Sequence, residues 1–103
     1  MVSNKIVSTF NTAELGRSRL EGWLADRMTL NIEKRLLTLD LDMILDPFEH
    51  RPGQQWWAGE HVGKYLHAAT NAWRYTGDDL LKNRMSEAAR RLIATQLPNG
   101  YLG

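Results

Sequence analysis

GEHVGKYLHAATNAWRYTGDDLLKNRMSEAARRLIATQ, residues 59–96, is the stretch that decides the fold. Val62, Leu66, Ala69 and Trp73 recur at helical intervals and predict the buried stripe of a helix from about Gly59 to Tyr75. Gly77 stands where that helix needs a left-handed C-cap, a conformation that a Cβ makes costly. Asp78 follows as the N-cap of a second helix, about Asp79 to Gln96. In it Leu81, Met85, Ala88 and Leu92 face inward, with Ile93 beside them, and Pro98-Asn99-Gly100 ends it as a turn. Helices joined by so short a link pack antiparallel, so 59–96 is an αα-hairpin.

Working outward, Leu20, Leu24, Met28, Ile32 and Leu36 recur every four residues, and Trp23 and Leu30 widen the stripe. This predicts an amphipathic helix with Asn31, Glu33, Lys34 and Arg35 mainly on its other side. Leu41, Ile44, Leu45 and Phe48 predict a short helix over Leu39 to Leu45. Pro47 is expected to stop it, since the residue before a proline avoids the helical region. His50 to Gln55, with Pro52-Gly53 inside it, reads as an exposed loop. Lys5 to Phe10 alternates weakly and predicts a short N-terminal strand, with Ile6 and Phe10 packed inward. The expected organisation is an irregular segment over 1–18 and a mainly α segment over 19–103.

Composition excludes several classes of function. The 103 residues carry a formal charge of +1 spread over both signs, with no basic block to attract nucleic acid. The one basic doublet, Arg90-Arg91, shares its helix with Glu87 and reads as a solvated face. No apolar run approaches the roughly 18 residues that span a membrane. MVSNKIVSTFNT lacks the apolar core of a signal peptide, which favours the cytoplasm. The chain has no cysteine, which excludes disulfides and thiolate chemistry within it.

The residues with chemical potential gather at helix ends. Trp56 and Trp57 are adjacent and point to opposite sides of an extended segment. Either both pack under the loop, or one indole is a platform for a sugar ring. Glu60 and Lys64 have the spacing of a helix ion pair, and Glu60 also suits the positive end of the helix dipole. At a pocket mouth the same carboxylate could bind a hydroxyl or move a proton. His61 beside it fits a structural hydrogen bond or a pocket group. His61 and His67 are six apart and form no metal pair, while His50 has no partner by spacing. Asp40, Asp42 and Asp46 lack the further oxygens and glycine turn of a calcium loop and read as solvated helix surface. Asn99-Gly100-Tyr101 is a turn first, and a site candidate only because a hairpin brings its open ends to one rim.

RLLTLDLDMILDPFEHRPG, then WWAGEHVGKYLHAATNAWRYTGDDLL, then LIATQLPNGYLG, together resemble the start of the catalytic domain of glycoside hydrolase family 127. That family includes β-L-arabinofuranosidases. The resemblance covers most of residues 14–103, and GEHVGKYLHAA and QLPNGYLG are its most specific parts. It implies that the αα-hairpins form part of an (α/α)6 barrel. It also implies a retaining glycosidase of arabinofuranosyl or related plant sugars, with a zinc-held cysteine nucleophile and a glutamate acid/base in the full-length protein. Those groups lie downstream in the family, so no catalytic or metal residue is carried over and no cofactor is expected within this chain. Carried over is pocket lining by Trp57, Glu60, His61 and Tyr101.

Three or four helices of twelve cannot close such a barrel. The chain is therefore expected to be catalytically silent alone and to expose apolar surface that self-association would cover. Two other readings stand beside this one. One is a free-standing helical module that binds a protein partner or itself; the other is part of a different (α/α)6 sugar enzyme, such as an epimerase.

Overall fold

The computed structural model describes residues 10, 11, 13, 14, 16–51 and 57–103, and among these it is helical without strands. Four helices follow one another: α1 (Trp23–Asn31), α2 (Leu41–Glu49), α3 (Glu60–Thr76) and α4 (Asp79–Ala94). A π-helical turn, Ile32–Leu36, continues α1. The expected strand lies mostly outside the described residues; Phe10, its last residue, is 87% exposed rather than packed inward.

The hairpin forms as the sequence dictates. Gly77 adopts φ 69° and ψ 15°, and its N–H donates to the Trp73 carbonyl at 2.7 Å. One carboxylate oxygen of Asp78 accepts from the N–H groups of Leu80 and Leu81, at 2.7 and 3.3 Å. These bonds satisfy backbone groups that a helix end leaves without partners. α3 and α4 then pack along their length, burying Val62, Ala69, Leu81 and Ala88 almost completely. α3 turns slightly from its expected face: Tyr65 is buried, while Leu66 and Trp73 flank the core. Tyr65 can be buried because its hydroxyl donates to the Leu36 carbonyl at 3.2 Å. Ile93 does not face inward; it is 63% exposed. Leu92 takes the inward position beside it.

α2 lies across this hairpin and contributes Leu41, Ile44, Leu45 and Phe48 to the core. Its N-cap is Asp40, whose carboxylate accepts from Asp42 N–H at 2.9 Å. The helix does not stop before Pro47 but runs through it to Glu49. Pro47 removes one bond, the one its N–H would make to the Met43 carbonyl. Met43 is exposed, where water can serve that oxygen, and the His50 N–H resumes the ladder on Asp46 at 2.8 Å. Continuing also buries Phe48, a return that stopping at Leu45 would forgo. The Phe48 ring presses on Gly59, where an added Cβ would sit 3.2 Å from the ring edge.

The first helix begins at Trp23, three residues later than the stripe predicts, after Gly22 at φ 67°. Leu20 is held outside it, its N–H donating to the Tyr75 hydroxyl at 2.6 Å. Only the C-terminal end of the stripe is buried, through Ile32 and Leu36 in the π turn. There the Leu37 N–H reaches back five residues to the Ile32 carbonyl at 2.9 Å. α1 has no buried residue, and Leu20, Trp23, Leu24 and Leu30 all stand exposed.

Candidate functional site

The antiparallel hairpin places the start of α3 and the end of α4 at the same end of the molecule. Trp57 and Glu60 share the turn that opens α3, the Glu60 N–H donating to the Trp57 carbonyl at 3.1 Å. Trp57 is exposed, and Trp56 lies outside the described residues. Glu60 does pair with Lys64 across one helical turn, at 3.1 Å. Both side chains are largely in water, so the pair adds little stability.

His61, one residue on, faces a different way from Glu60. It joins Lys64, Tyr65 and Ala68 on one stripe of α3, and that stripe walls a cleft of about 460 Å³. Arg35, Leu36 and Leu39 form the opposite wall, and Met43 and Ile44 of α2 close it.

Tyr101 follows α4 and is held by its own neighbours. Its N–H donates to the Asn99 side chain at 3.0 Å, and its carbonyl accepts from Leu97 N–H at 2.9 Å. The Arg51 guanidinium lies 5.9 Å from its ring centre. Among the described residues no hydrogen bond or ring contact joins Tyr101 to Glu60 or His61. Trp57 and Glu60 thus share one turn, His61 opens into the cleft, and Tyr101 is held beside Arg51.

That side holds a charged cluster that sequence reasoning misses. Arg91 is not a solvated residue. Its side chain is 25% exposed and grips Glu49 with two bonds of 2.9 Å, while its third nitrogen lies 2.6 Å from Asp42. The bonds donated to Glu49, then the one donated to Asp42, raise the guanidinium's affinity for its proton above the ordinary arginine value. Arg84, seven residues earlier on α4, donates to the Leu39 carbonyl. Arg51 donates to the Thr95 carbonyl at 2.9 Å, placing a cation at the negative end of the α4 dipole. With Phe48, Leu97 and neighbours, Glu49, Arg51 and Arg91 line an open groove of about 490 Å³. A signal was present: Arg84 and Arg91 are seven apart and flank the inward stripe, as Asp42 and Glu49 are seven apart on α2.

The three aspartates also separate in role. Asp40 caps α2, Asp42 meets Arg91, and Asp46 meets His50 Nδ1 at 2.9 Å. His50 therefore has a partner by spacing, at four residues, because α2 extends far enough to bring the pair together. Among the described residues no group of three or more His, Cys, Asp or Glu side chains is placed to hold a metal ion. The chain has no cysteine either, so the thiolate–zinc arrangement implied by the resemblance has no ligand set here. Nor is any helix among the described residues long and apolar enough to cross a membrane. Comparison with protein families, with curated proteins and with solved structures gives no match to this chain.

Proposed function

We propose that this chain is the front helical segment of a retaining glycoside hydrolase resembling the β-L-arabinofuranosidases, one that lines a sugar pocket without supplying its catalytic groups. The observation that supports the reading most directly is the exposure of Trp57, Glu60 and His61 along the turn that opens α3. An indole face, a carboxylate and an imidazole together can stack on a sugar ring and hydrogen-bond its hydroxyls. Tyr101 would contribute from the neighbouring side, its ring held beside Arg51. Zinc and the nucleophile would belong to other parts of the full-length protein.

The test is to read the source DNA beyond the Gly103 codon and to titrate a β-L-arabinofuranoside onto the 103-residue chain by calorimetry. A frame that continues through a glutamate and a cysteine-rich metal site, with no turnover by the 103 residues alone, is the expected result. A stop codon after Gly103 together with absent sugar binding overturns it.

A second reading, a helical module that associates with itself or with a protein partner, draws on a different observation. Trp23, Leu24 and Leu30 of α1 are exposed, and Trp23 is 67% so. Apolar side chains grouped on one helix are the usual mark of a contact surface.

A further inference from the structure

We propose that the cleft between the π turn, α2 and α3 is a binding site for a small amphiphilic anion, an apolar chain or ring carrying one carboxylate-type head. The inference goes beyond the sugar reading and does not depend on it. The cleft's volume of about 460 Å³ lies within the range that small-molecule sites occupy. Its lining is mostly apolar: Leu36, Leu39, Met43, Ile44 and Ala68, with the Tyr65 ring fixed by its bond to the Leu36 carbonyl. Its charged groups are of one sign. Arg35 and Lys64 stand on facing walls, and His61 lies one helical turn from Lys64.

No carboxylate lines the cleft itself. Glu60 takes Lys64 at 3.1 Å from outside it, whereas the side chains of Arg35 and His61 make no hydrogen bond or ion pair among the described residues. An apolar lining with two exposed cationic side chains is complementary to a ligand of opposite head charge and apolar body. Arginine suits a carboxylate in particular, because its fork can donate twice. The wall that carries Arg35 and Leu36 is the π turn, a distortion frequently found at functional sites.

Octanoate is the probe, with octanol and octylammonium as controls of equal chain length and different head. The intact chain, labelled with ¹⁵N, is titrated while its backbone amide resonances are followed. The expected result is saturable binding of octanoate that shifts the amides of residues 35–44 and 61–68, with octanol weaker and octylammonium without effect. Arg35→Gln and Lys64→Gln, both at exposed positions, should each weaken octanoate about three- to fivefold, the size expected of a partly solvated charge contact. Equal binding of octanoate and octanol overturns the proposal, as do shifts confined to α1 or shifts that follow protein concentration rather than octanoate. Failure of an arabinoside to bind leaves it standing, so the two readings fail separately.

Discussion

At the scale of single residues, Arg91 fastens α2 to α4 through two carboxylates of unequal standing. Glu49 is bidentate and 28% exposed, while Asp42 makes one bond and is 82% exposed. Solvent weakens the second far more than the first. Glu49→Gln should therefore lower the melting temperature by a few degrees and Asp42→Asn by much less, read by circular dichroism at low salt. An equal loss from both would show that bidentate geometry does not matter here. Alkali is no substitute for these mutations. A group whose proton is held more tightly in the fold contributes its stability below its ordinary titration range and loses it only above the raised one. For a guanidinium both lie in strong alkali. A buried hydroxyl offers a cleaner measurement. Tyr65→Phe removes the bond to the Leu36 carbonyl and should cost about 1 kcal/mol in urea unfolding. No change in the midpoint would mean that water already serves that oxygen.

At the scale of elements, the α3–α4 hairpin was legible in the sequence because its punctuation is local. Gly77 and Asp78 act through their own backbone conformation and neighbouring N–H groups, so residue type and position suffice to identify them. Asp78→Ala should cost about 1 kcal/mol through the lost N-cap. Gly77→Ala should cost about 1–2 kcal/mol by forcing a Cβ into the left-handed region. Both are measurable by urea titration, and a neutral Gly77→Ala would contradict the left-handed cap. α2 was less legible. Whether a helix survives a proline depends on what its far side gains, and the contact of Phe48 with Gly59 and the clamp of Glu49 on Arg91 are both tertiary. The same extension brings Asp46 within 2.9 Å of His50 Nδ1, so this contact is legible only once the helix end is known. Arg91 was obscured by composition: a basic doublet reads as surface until a neighbouring helix brings carboxylates to it. Of the site candidates, Trp57, Glu60 and His61 are neighbours in sequence at a helix start, but which way each faces depends on the winding of that turn, and His61 opens into the cleft that α3 shares with α2 and the π turn. The placing of Tyr101 depends on how the last turn brings its ring to Arg51, which no local pattern encodes.

At the scale of the whole molecule, the core lies where α2, α3, α4 and the π turn meet, and α1 extends from it with its apolar face in solvent. The four-residue period that predicted α1 was real, but periodicity reports only that a face is apolar, not what covers it. If that face is a contact surface, sedimentation of the chain should depend on concentration, and Trp23→Ser combined with Leu24→Ser should abolish the dependence without loss of helix content. A chain that stays monomeric at high concentration, with or without the substitutions, would remove self-association from consideration. The direction in which this arm presents its apolar side does not depend on the extra residue that the π turn holds. Five residues close that turn where four close an α-helical one, and both arcs carry the chain about once around the axis. Deleting Glu33 alone should therefore let the backbone run as ordinary α-helix with Trp23 and Leu24 still facing the side they face now. The turn is a splice in the helix, a place where one codon can be gained or lost without redirecting the surface this molecule offers to others.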